Sequence, residues 1–558
     1  MLLPTSEVVD CTFFGEEKFE VWCVGWPDDS FDCFCLFSNQ IFKSLDDIQK
    51  RILNRHSNDV KNSAAIRKSL RYILNSRPLF SVFSSFMQVL SHTTVVLFSN
   101  PLAPITDPTN YFYALFVYGF IYINLLISTC FLVTLRVLHI DVLIRRLSRD
   151  YAGGFGITSW ADYGMFEDQE ETFKSARRIL GSKLEESDGP LSTPIHLHFN
   201  REVARAILLM SSIVYERDSD QVKKAFDYSE EAKKHLLKSE EKIYKYVADW
   251  GCKFISIADF QTADGPFVGA FYDIEPGHVP YIVIVFKGTS PQALSEWIVD
   301  ISFNLEAAND RLGEGFAHQG FYASLFPSSG PADRFQPSPY LRILETIETI
   351  SKEAFEKTGQ RANLYVGGHS LGAGIASLFY ARLLESPADL GSRTILRDAY
   401  CFGTPRACGS SLASRVEYNL AKPANQYRML WRISNKSRFS LTGDIVTRVP
   451  PGLADLRPAR SAIREGSLLS YAAIGIPVYL TPEGDSPFYS FGRVPAGYSV
   501  SAYKCTKEDV KKPKSLVGPI KIIDTVFHTC FPILHDHFPG CYFSSLNRLS
   551  IENYSQEN

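Results

Sequence analysis

The chain has 558 residues, 45% of them hydrophobic and 21% charged, and this balance excludes an intrinsically disordered or fibrous protein. A formal net charge of -3 argues against a general nucleic-acid-binding protein, so we expect no nucleic-acid partner. Aromatic residues make up 13% of the chain, which favours contact with lipid or an apolar ligand. Eleven cysteines without zinc-site spacing indicate free thiols in a reducing compartment.

Residues 79–135 are predicted to be a membrane segment with one or two transmembrane helices. Asp107 is the only charged residue between Arg77 and Arg136. The second apolar stretch, residues 111–135, is long enough to span about 30 Å of hydrocarbon as a helix. The first stretch carries more polar side chains and is the weaker candidate. A buried helical hairpin in a soluble domain is the alternative interpretation.

Basic residues flank this segment on both sides, whereas its linker, residues 99–110, has none. The flanking residues are Arg67, Lys68, Arg71, Arg77, Arg136, Arg145, Arg146 and Arg149. Because loops rich in Lys and Arg stay on the cytoplasmic side, residues after about 136 are predicted to face the cytoplasm. The glycosylation sequon at Asn435 would then be unused.

The rest of the chain divides by composition. Residues 1–78 are an N-terminal region of unknown role, and their start has no signal-peptide pattern. Residues 136–200 are predicted to be a linker and helical region, 201–545 an α/β domain, and 546–558 a C-terminal tail. In that domain the continuously apolar run YIVIVF reads as a strand buried on both faces, and strands alternate with helical patterns. This alternation predicts an α/β fold with helices on both faces of a sheet.

The strongest chemical signal is G-x-S-x-G at residues 368–372. An apolar strand pattern, NLYVGG, precedes it and a helical pattern follows. A sharp turn there would hold Ser370 in a strained conformation, so Gly368 and Gly372 must lack side chains. The motif alone is weak in a chain with 35 glycines, but this context favours a nucleophile over an inert turn.

The stretch YVGGHSLGAGIASL resembles the nucleophile elbow of the class 3 lipases, an α/β-hydrolase family of fungal lipases and diacylglycerol lipases. Further segments resemble motifs of this family in the same order, namely VIVFKGTS, SEWIVDISF, HQGFY, GTPRACG and GDIVTRVPP. The resemblance covers residues from about 200 to 545. It implies an α/β-hydrolase fold and a lipid substrate, and it requires no metal or cofactor. The chain also has some likeness to membrane-anchored diacylglycerol lipases.

A nucleophilic serine needs an imidazole base, and the base needs a carboxylate to orient it. The carboxylate candidates are Asp444, Asp398, Asp455 and Asp485, and the imidazole candidates are His528, His535 and His537. The resemblance favours Asp444, which precedes IVTRVPP, and it favours His537 within an Asp-His-Phe sequence. His535, two residues away, is the second choice for the base.

The resemblance also suggests an oxyanion hole and a lid. The backbone N–H of Leu371 is expected to bind the oxyanion, and the resemblance adds Thr289 as a second donor. Residues 291–303 would form a short amphipathic helix. Its apolar residues are Leu294, Trp297, Ile298 and Ile301. This helix either packs on the core or acts as a lid that opens at a lipid surface, and the resemblance favours the lid.

These observations predict a membrane-anchored serine hydrolase that cleaves tri- or diacylglycerol esters through Ser370, His537 and Asp444. One alternative keeps the chemistry but changes the substrate to a phospholipid or another carboxylic ester. Another alternative is a catalytically silent lipase-fold module that binds lipid or protein. The sequence does not indicate the oligomeric state.

Overall fold

The structure, a computed structural model, describes residues 6–11, 19–24, 112, 119, 123, 163–183, 195–197, 199–218, 221–222, 224–225, 231–259, 267–288, 305–308, 310–327, 338–422, 425, 428–436, 443–450, 452, 470–480, 498–500, 503–505 and 535–551. The chain divides into two compact units, Met1–Asn75 and Ser76–Asn558. In the first unit, β1 (Ser6–Cys11) and β2 (Phe19–Val24) pair as an antiparallel hairpin.

The second unit contains the other strands and helices. Its strands are β3 (Ile195–Leu197), β4 (Lys253–Asp259), β5 (Phe267–Asp273), β6 (Tyr281–Phe286), β7 (Leu305–Ala307), β8 (Phe316–His318), β9 (Ala362–His369), β10 (Thr394–Phe402), β11 (Cys408–Gly409), β12 (Leu430–Asn435), β13 (Tyr471–Ala472), β14 (Ile476–Leu480), β15 (Tyr498–Val500), β16 (Tyr503–Cys505) and β17 (Leu549–Ile551). Its α-helices are α1 (Tyr163–Phe166), α2 (Glu170–Leu180), α3 (Arg201–Ile213), α4 (Ala232–Ser239), α5 (Glu241–Asp249), α6 (Gln319–Leu325), α7 (Pro339–Thr358), α8 (Leu371–Glu385), α9 (Ser410–Leu420) and α10 (Pro539–Asn547). Short 3-10 helices cover Val214–Glu216, Pro387–Leu390 and Val446–Arg448.

A mixed seven-stranded sheet forms the centre of this unit. Its strand order is β14-β12-β10-β9-β6-β5-β4. The five strands from β14 to β6 pair in parallel, whereas β5 pairs antiparallel with both β6 and β4. A smaller sheet has the order β13-β11-β8-β7, and two further pairs join β3 to β15 and β16 to β17. The predicted α/β sheet is confirmed, with an antiparallel edge added.

Helices cover both faces of the central sheet, and its strands contribute alternate residues to two cores. Ile284 of β6 packs in a core with α7 and α8, whereas Val283 packs on the opposite face in a core with α2 and α3. Every residue of β6 and β9 is buried, as expected for parallel strands between two helical layers. This arrangement fixes the carboxyl end of β9, where the candidate nucleophile lies.

Capping residues define the ends of the long helices. At the start of α7, the Ser338 side chain accepts a hydrogen bond from the backbone N–H of Leu341, and Pro339 occupies the first turn. At its end, Gly359 adopts a left-handed conformation with φ 66°. At the start of α3, Asn200 accepts from the N–H of Val203 at 3.0 Å. Local sequence therefore sets the boundaries of both helices.

Residues before 201 also contribute to the core of the second unit. Residues 163–180 fall within the predicted linker and helical region, and they form α1 and α2. Helix α2 buries Phe173, Ala176 and Leu180 in the core that it shares with α3. Packed structure therefore begins upstream of the predicted start of the α/β domain.

The predicted membrane segment, residues 79–135, lies outside the described residues except for Phe112, Gly119 and Ile123, which are helical. Among the residues that the structure describes, no helix combines the length and the apolar character needed to cross a bilayer. The structure gives no support to the transmembrane helices, and the cytoplasmic orientation stays a prediction.

Candidate active site

Ser370 occupies a sharp turn between strand β9 and helix α8. Its φ of 60° and ψ of -134° are rare for a residue with a side chain, and such a conformation costs on the order of 1–3 kcal/mol. The backbone N–H of Ser370 donates to the carbonyl oxygen of Phe402 on the neighbouring strand β10 at 2.9 Å. The turn is thereby fixed to the sheet, with the serine at the start of the helix.

The two glycines of the motif have no room for a side chain. A Cβ on Gly368 would lie 2.7 Å from the carbonyl of Gly372, within the turn itself. A Cβ on Gly372 would lie 2.1 Å from the carbonyl oxygen of Phe286, the last residue of β6. Real Cβ atoms do not approach backbone atoms this closely, so the motif requires glycine at both positions, as predicted.

A continuous series of hydrogen bonds joins Ser370, His537 and Asp444. The His537 Nε2 atom lies 2.8 Å from the Ser370 Oγ atom, and its Nδ1 atom lies 2.8 Å from Asp444 Oδ2. All three side chains are buried. Because a carboxylate only accepts, Nδ1 carries the imidazole proton and Nε2 is free to accept the hydroxyl proton of Ser370. The arrangement can therefore deprotonate the serine as it attacks a carbonyl.

The Asp444 carboxylate is held by two further donors. Its Oδ1 atom accepts from the backbone N–H of Val446 at 2.8 Å, and its Oδ2 atom accepts from the Tyr542 hydroxyl at 2.5 Å. Burial raises the pKa of Tyr542 well above its usual value, so this hydroxyl keeps its proton and remains a donor. These contacts fix the carboxylate that faces His537.

Gly403 leaves the space that the imidazole and the carboxylate occupy. It has a φ of 60°, and a Cβ there would lie 2.8 Å from His537 Cε1 and 2.9 Å from Asp444 Oδ2. A side chain at this position would push the two groups apart. The glycine that follows strand β10 is therefore part of the site.

The other candidates for the acid and the base have different partners or lie outside the described residues. Asp398 accepts from the backbone N–H of Met429 at 2.9 Å and from Trp431 Nε1 at 3.0 Å, and burial raises its pKa to about 6. The His535 Nδ1 atom lies 3.3 Å from the Cys541 sulfur. Positions outside the described residues are Asp455, Asp485 and His528.

His369, the residue before Ser370, links the turn to the segment that carries His537. Its Nε2 atom donates to the backbone carbonyl of His537 at 2.8 Å, and its Nδ1 atom lies 3.1 Å from the Tyr215 hydroxyl. Burial, followed by the proximity of His537, lowers the pKa of His369 well below its usual value. A neutral imidazole with its proton on Nε2 satisfies both contacts.

One candidate donor for an oxyanion lies at the start of helix α8. Leu371 is the first residue of α8, so its backbone N–H has no acceptor within the helix. Gly288 follows β6 and lies close to the turn. A Cβ added to Gly288 would lie 3.1 Å from Ser370 Cβ. Thr289 and the predicted lid residues Leu294, Trp297 and Ile298 lie outside the described residues. Their roles stay predictions.

Sequence reasoning missed the residues that support the site from neighbouring elements. Tyr542 donates to Asp444, Gly403 leaves room for the Asp444 carboxylate, and Asn435 at the end of β12 donates to the segment before His537. A glycine directly after a buried strand and an asparagine at the end of one are signals that could have drawn attention to Gly403 and Asn435. Within the described residues, no group of three or more His, Cys, Asp or Glu side chains could hold a metal ion.

Comparison with known families provides evidence independent of this geometry. Residues 283–453 match the family described as Lipase (class 3). The resemblance to class 3 lipases is confirmed. The matched region begins within strand β6, includes Ser370 and Asp444, and ends at residue 453. It supports the α/β-hydrolase fold of the class 3 lipase type for this part of the chain.

Individual relatives match over limited parts of the chain. Triacylglycerol lipase OBL1 of Ricinus communis is 26% identical over 230 residues, which are 37% of this chain and 40% of that protein. The match thus spans less than half of the length of that curated relative. The lipase of Rhizomucor miehei in a propeptide complex has a TM-score of 0.27 and 20% identity, covering 42% of this chain and 58% of that chain. The lipase of Rhizopus microsporus var. chinensis has a TM-score of 0.30 and 16% identity, covering 56% and 89%.

Proposed function

We propose that this protein is a serine carboxylester hydrolase that cleaves acylglycerols, with Ser370 as nucleophile, His537 as general base and Asp444 as the orienting acid. The observation that supports this proposal best is the buried series of hydrogen bonds from Ser370 through His537 to Asp444, at a turn where the serine has a positive φ. A hydroxyl, an imidazole and a carboxylate in this order are the requirements of nucleophilic acyl transfer.

The proposed reaction uses these three side chains in turn. Ser370 Oγ attacks the ester carbonyl carbon while His537 Nε2 takes the hydroxyl proton, and the carbonyl oxygen becomes an oxyanion. The backbone N–H of Leu371, with Thr289 as a proposed second donor, would stabilise that oxyanion. The ester C–O bond then breaks, and the alcohol leaves with the proton from His537. Water attacks the acyl-enzyme by the same route and releases the fatty acid.

The family match and the named relative support acylglycerols as the substrate class. The family is described as Lipase (class 3), and the relative from Ricinus communis is named a triacylglycerol lipase. The predicted membrane segment would keep the enzyme near a lipid surface and raise the local concentration of substrate. Membrane anchoring is part of this proposal.

The test compares the full chain with Ser370→Ala on triacylglycerol, diacylglycerol and phospholipid presented in the same mixed micelles. We expect the wild-type protein to release fatty acid from acylglycerols and the variant to release none, because the variant lacks the attacking hydroxyl. Release from phospholipid alone would contradict the substrate class. Lipid binding without hydrolysis would support the catalytically silent module.

A further inference from the structure

Asn435 is the last residue of strand β12, and it lies between the two segments that carry the proposed acid and base. It is buried, with 2% of its surface exposed. Its backbone carbonyl accepts from the N–H of Asp444 at 3.0 Å, and its backbone N–H donates to the Tyr542 hydroxyl at 3.2 Å. That hydroxyl in turn donates to the Asp444 carboxylate. The backbone of Asn435 therefore holds the acid from two sides.

The side chain of Asn435 reaches the other segment. Its Nδ2 atom donates to the backbone carbonyl of Asp536 at 2.7 Å, across 101 positions in sequence. Asp536 immediately precedes His537, so this hydrogen bond acts on the peptide that leads into the imidazole. The next backbone carbonyl, that of His537 itself, accepts from His369 Nε2.

The amide oxygen of Asn435 has no hydrogen-bond partner in the described part of the chain, although it is buried. A buried amide acceptor without a partner destabilises a fold, and an apolar side chain would avoid that cost. The contribution that distinguishes asparagine here is its N–H donor. The same hydrogen bond uses the amide nitrogen that glycosylation of the sequon at Asn435 would modify.

We infer that Asn435 is a positioning residue for the proposed reaction: its amide N–H holds the Asp536 carbonyl so that His537 stays within hydrogen-bonding distance of both Ser370 and Asp444. This inference rests on the proposed function. A mutation far from the reacting atoms that misplaces a catalytic group by about 1 Å can cost about 100-fold in rate. Loss of the Asn435 donor is therefore expected to act on kcat rather than on substrate binding.

The matched control is Asn363, near the start of β9. It is also a buried asparagine, and its Nδ2 atom donates to the backbone carbonyls of Leu180 at 2.8 Å and Ser182 at 3.0 Å. Like Asn435, it joins two distant segments through hydrogen bonds from its side-chain amide to backbone carbonyls. Asn363 lies seven positions before Ser370, roughly 23 Å away along an extended strand. A general loss of stability should therefore affect both positions, whereas mispositioning of His537 should follow only from changes at Asn435.

The experiment measures kcat and KM for p-nitrophenyl butyrate with the full-length wild type and with Asn435→Ala, Asn435→Asp and Asn363→Ala, each checked for thermal unfolding. The aspartate variant keeps the size of the side chain and replaces the donor with an acceptor. We expect both Asn435 variants to lose about 100-fold in kcat with KM changed less than about threefold. Asn363→Ala should keep kcat within about twofold of wild type while its melting temperature falls.

Three results would overturn the inference. They are wild-type kcat in a folded Asn435 variant, an equal loss of kcat in Asn363→Ala, and failure of both Asn435 variants to fold, which would assign the residue to stability alone. Absence of turnover in the wild type would instead contradict the proposed function. The two failures are thus distinguishable.

Discussion

Replacement of His537 by alanine is expected to lower kcat for ester hydrolysis by about 10^6-fold. The imidazole lies 2.8 Å from both Ser370 Oγ and Asp444 Oδ2, so its removal deprives the serine of its base and separates the carboxylate from the reaction. KM should change little, because the proposed role of His537 is proton transfer at the reacting atoms and not binding of the substrate. Steady-state kinetics on a soluble short-chain ester would measure both quantities.

His535→Ala is the control for this prediction. His535 lies two residues away and was the second choice for the base, but its ring faces the sulfur of Cys541. We expect kcat within about threefold of wild type, as for a substitution remote from the reacting atoms. If His535→Ala lost activity while His537→Ala kept it, the assignment of the base would be wrong.

Gly372→Ala is expected to destabilise the fold by about 3 kcal/mol or more. The added Cβ would lie 2.1 Å from the carbonyl oxygen of Phe286 and 2.7 Å from the carbonyl carbon of Lys287, and both belong to backbone that cannot rotate away. Helix α8 would have to move off strand β6, and the turn that holds Ser370 would move with it. Thermal unfolding should show the loss, and ester hydrolysis should fall with it.

Gly359→Ala separates this steric clash from the effect of backbone strain alone. Gly359 has a φ of 66°, and nothing lies within 4 Å of the position of an added Cβ. Alanine there should cost only about 1–2 kcal/mol, through its left-handed conformation, and should leave activity intact. Equal destabilisation by the two variants would contradict the close contact between α8 and β6.

The parts of the molecule that the sequence predicts well are those encoded by contiguous residues. Strand β6 is a single apolar run that ends at Phe286, and the turn at Ser370 joins a strand pattern to a helix pattern. The four strands of the small sheet have only two or three residues each, too few to show periodicity. The pairings of β8 with β11 and of β11 with β13 join residues distant in sequence, so no local pattern identifies this sheet.

In the candidate site too, the sequence predicts the part that contiguous residues encode and not the rest. The nucleophile is identified by its local motif, but the residues alone left four carboxylates and three imidazoles as possible partners. The hydrogen bonds from His537 to Ser370 and Asp444 span 167 and 93 positions, so only the fold or a family resemblance distinguishes these candidates. The supporting contacts of Asn435 and Tyr542 arise where the end of β12 meets helix α10, and they have no sequence motif.

The most direct test of the central claim is labelling of the intact, folded protein with a fluorophosphonate, which reacts with activated serine nucleophiles. Our account predicts one adduct on the peptide that contains Ser370, abolished by Ser370→Ala and slowed by a large factor in His537→Ala. Wild-type protein that is folded but unlabelled, or labelled at a different serine, would contradict the account.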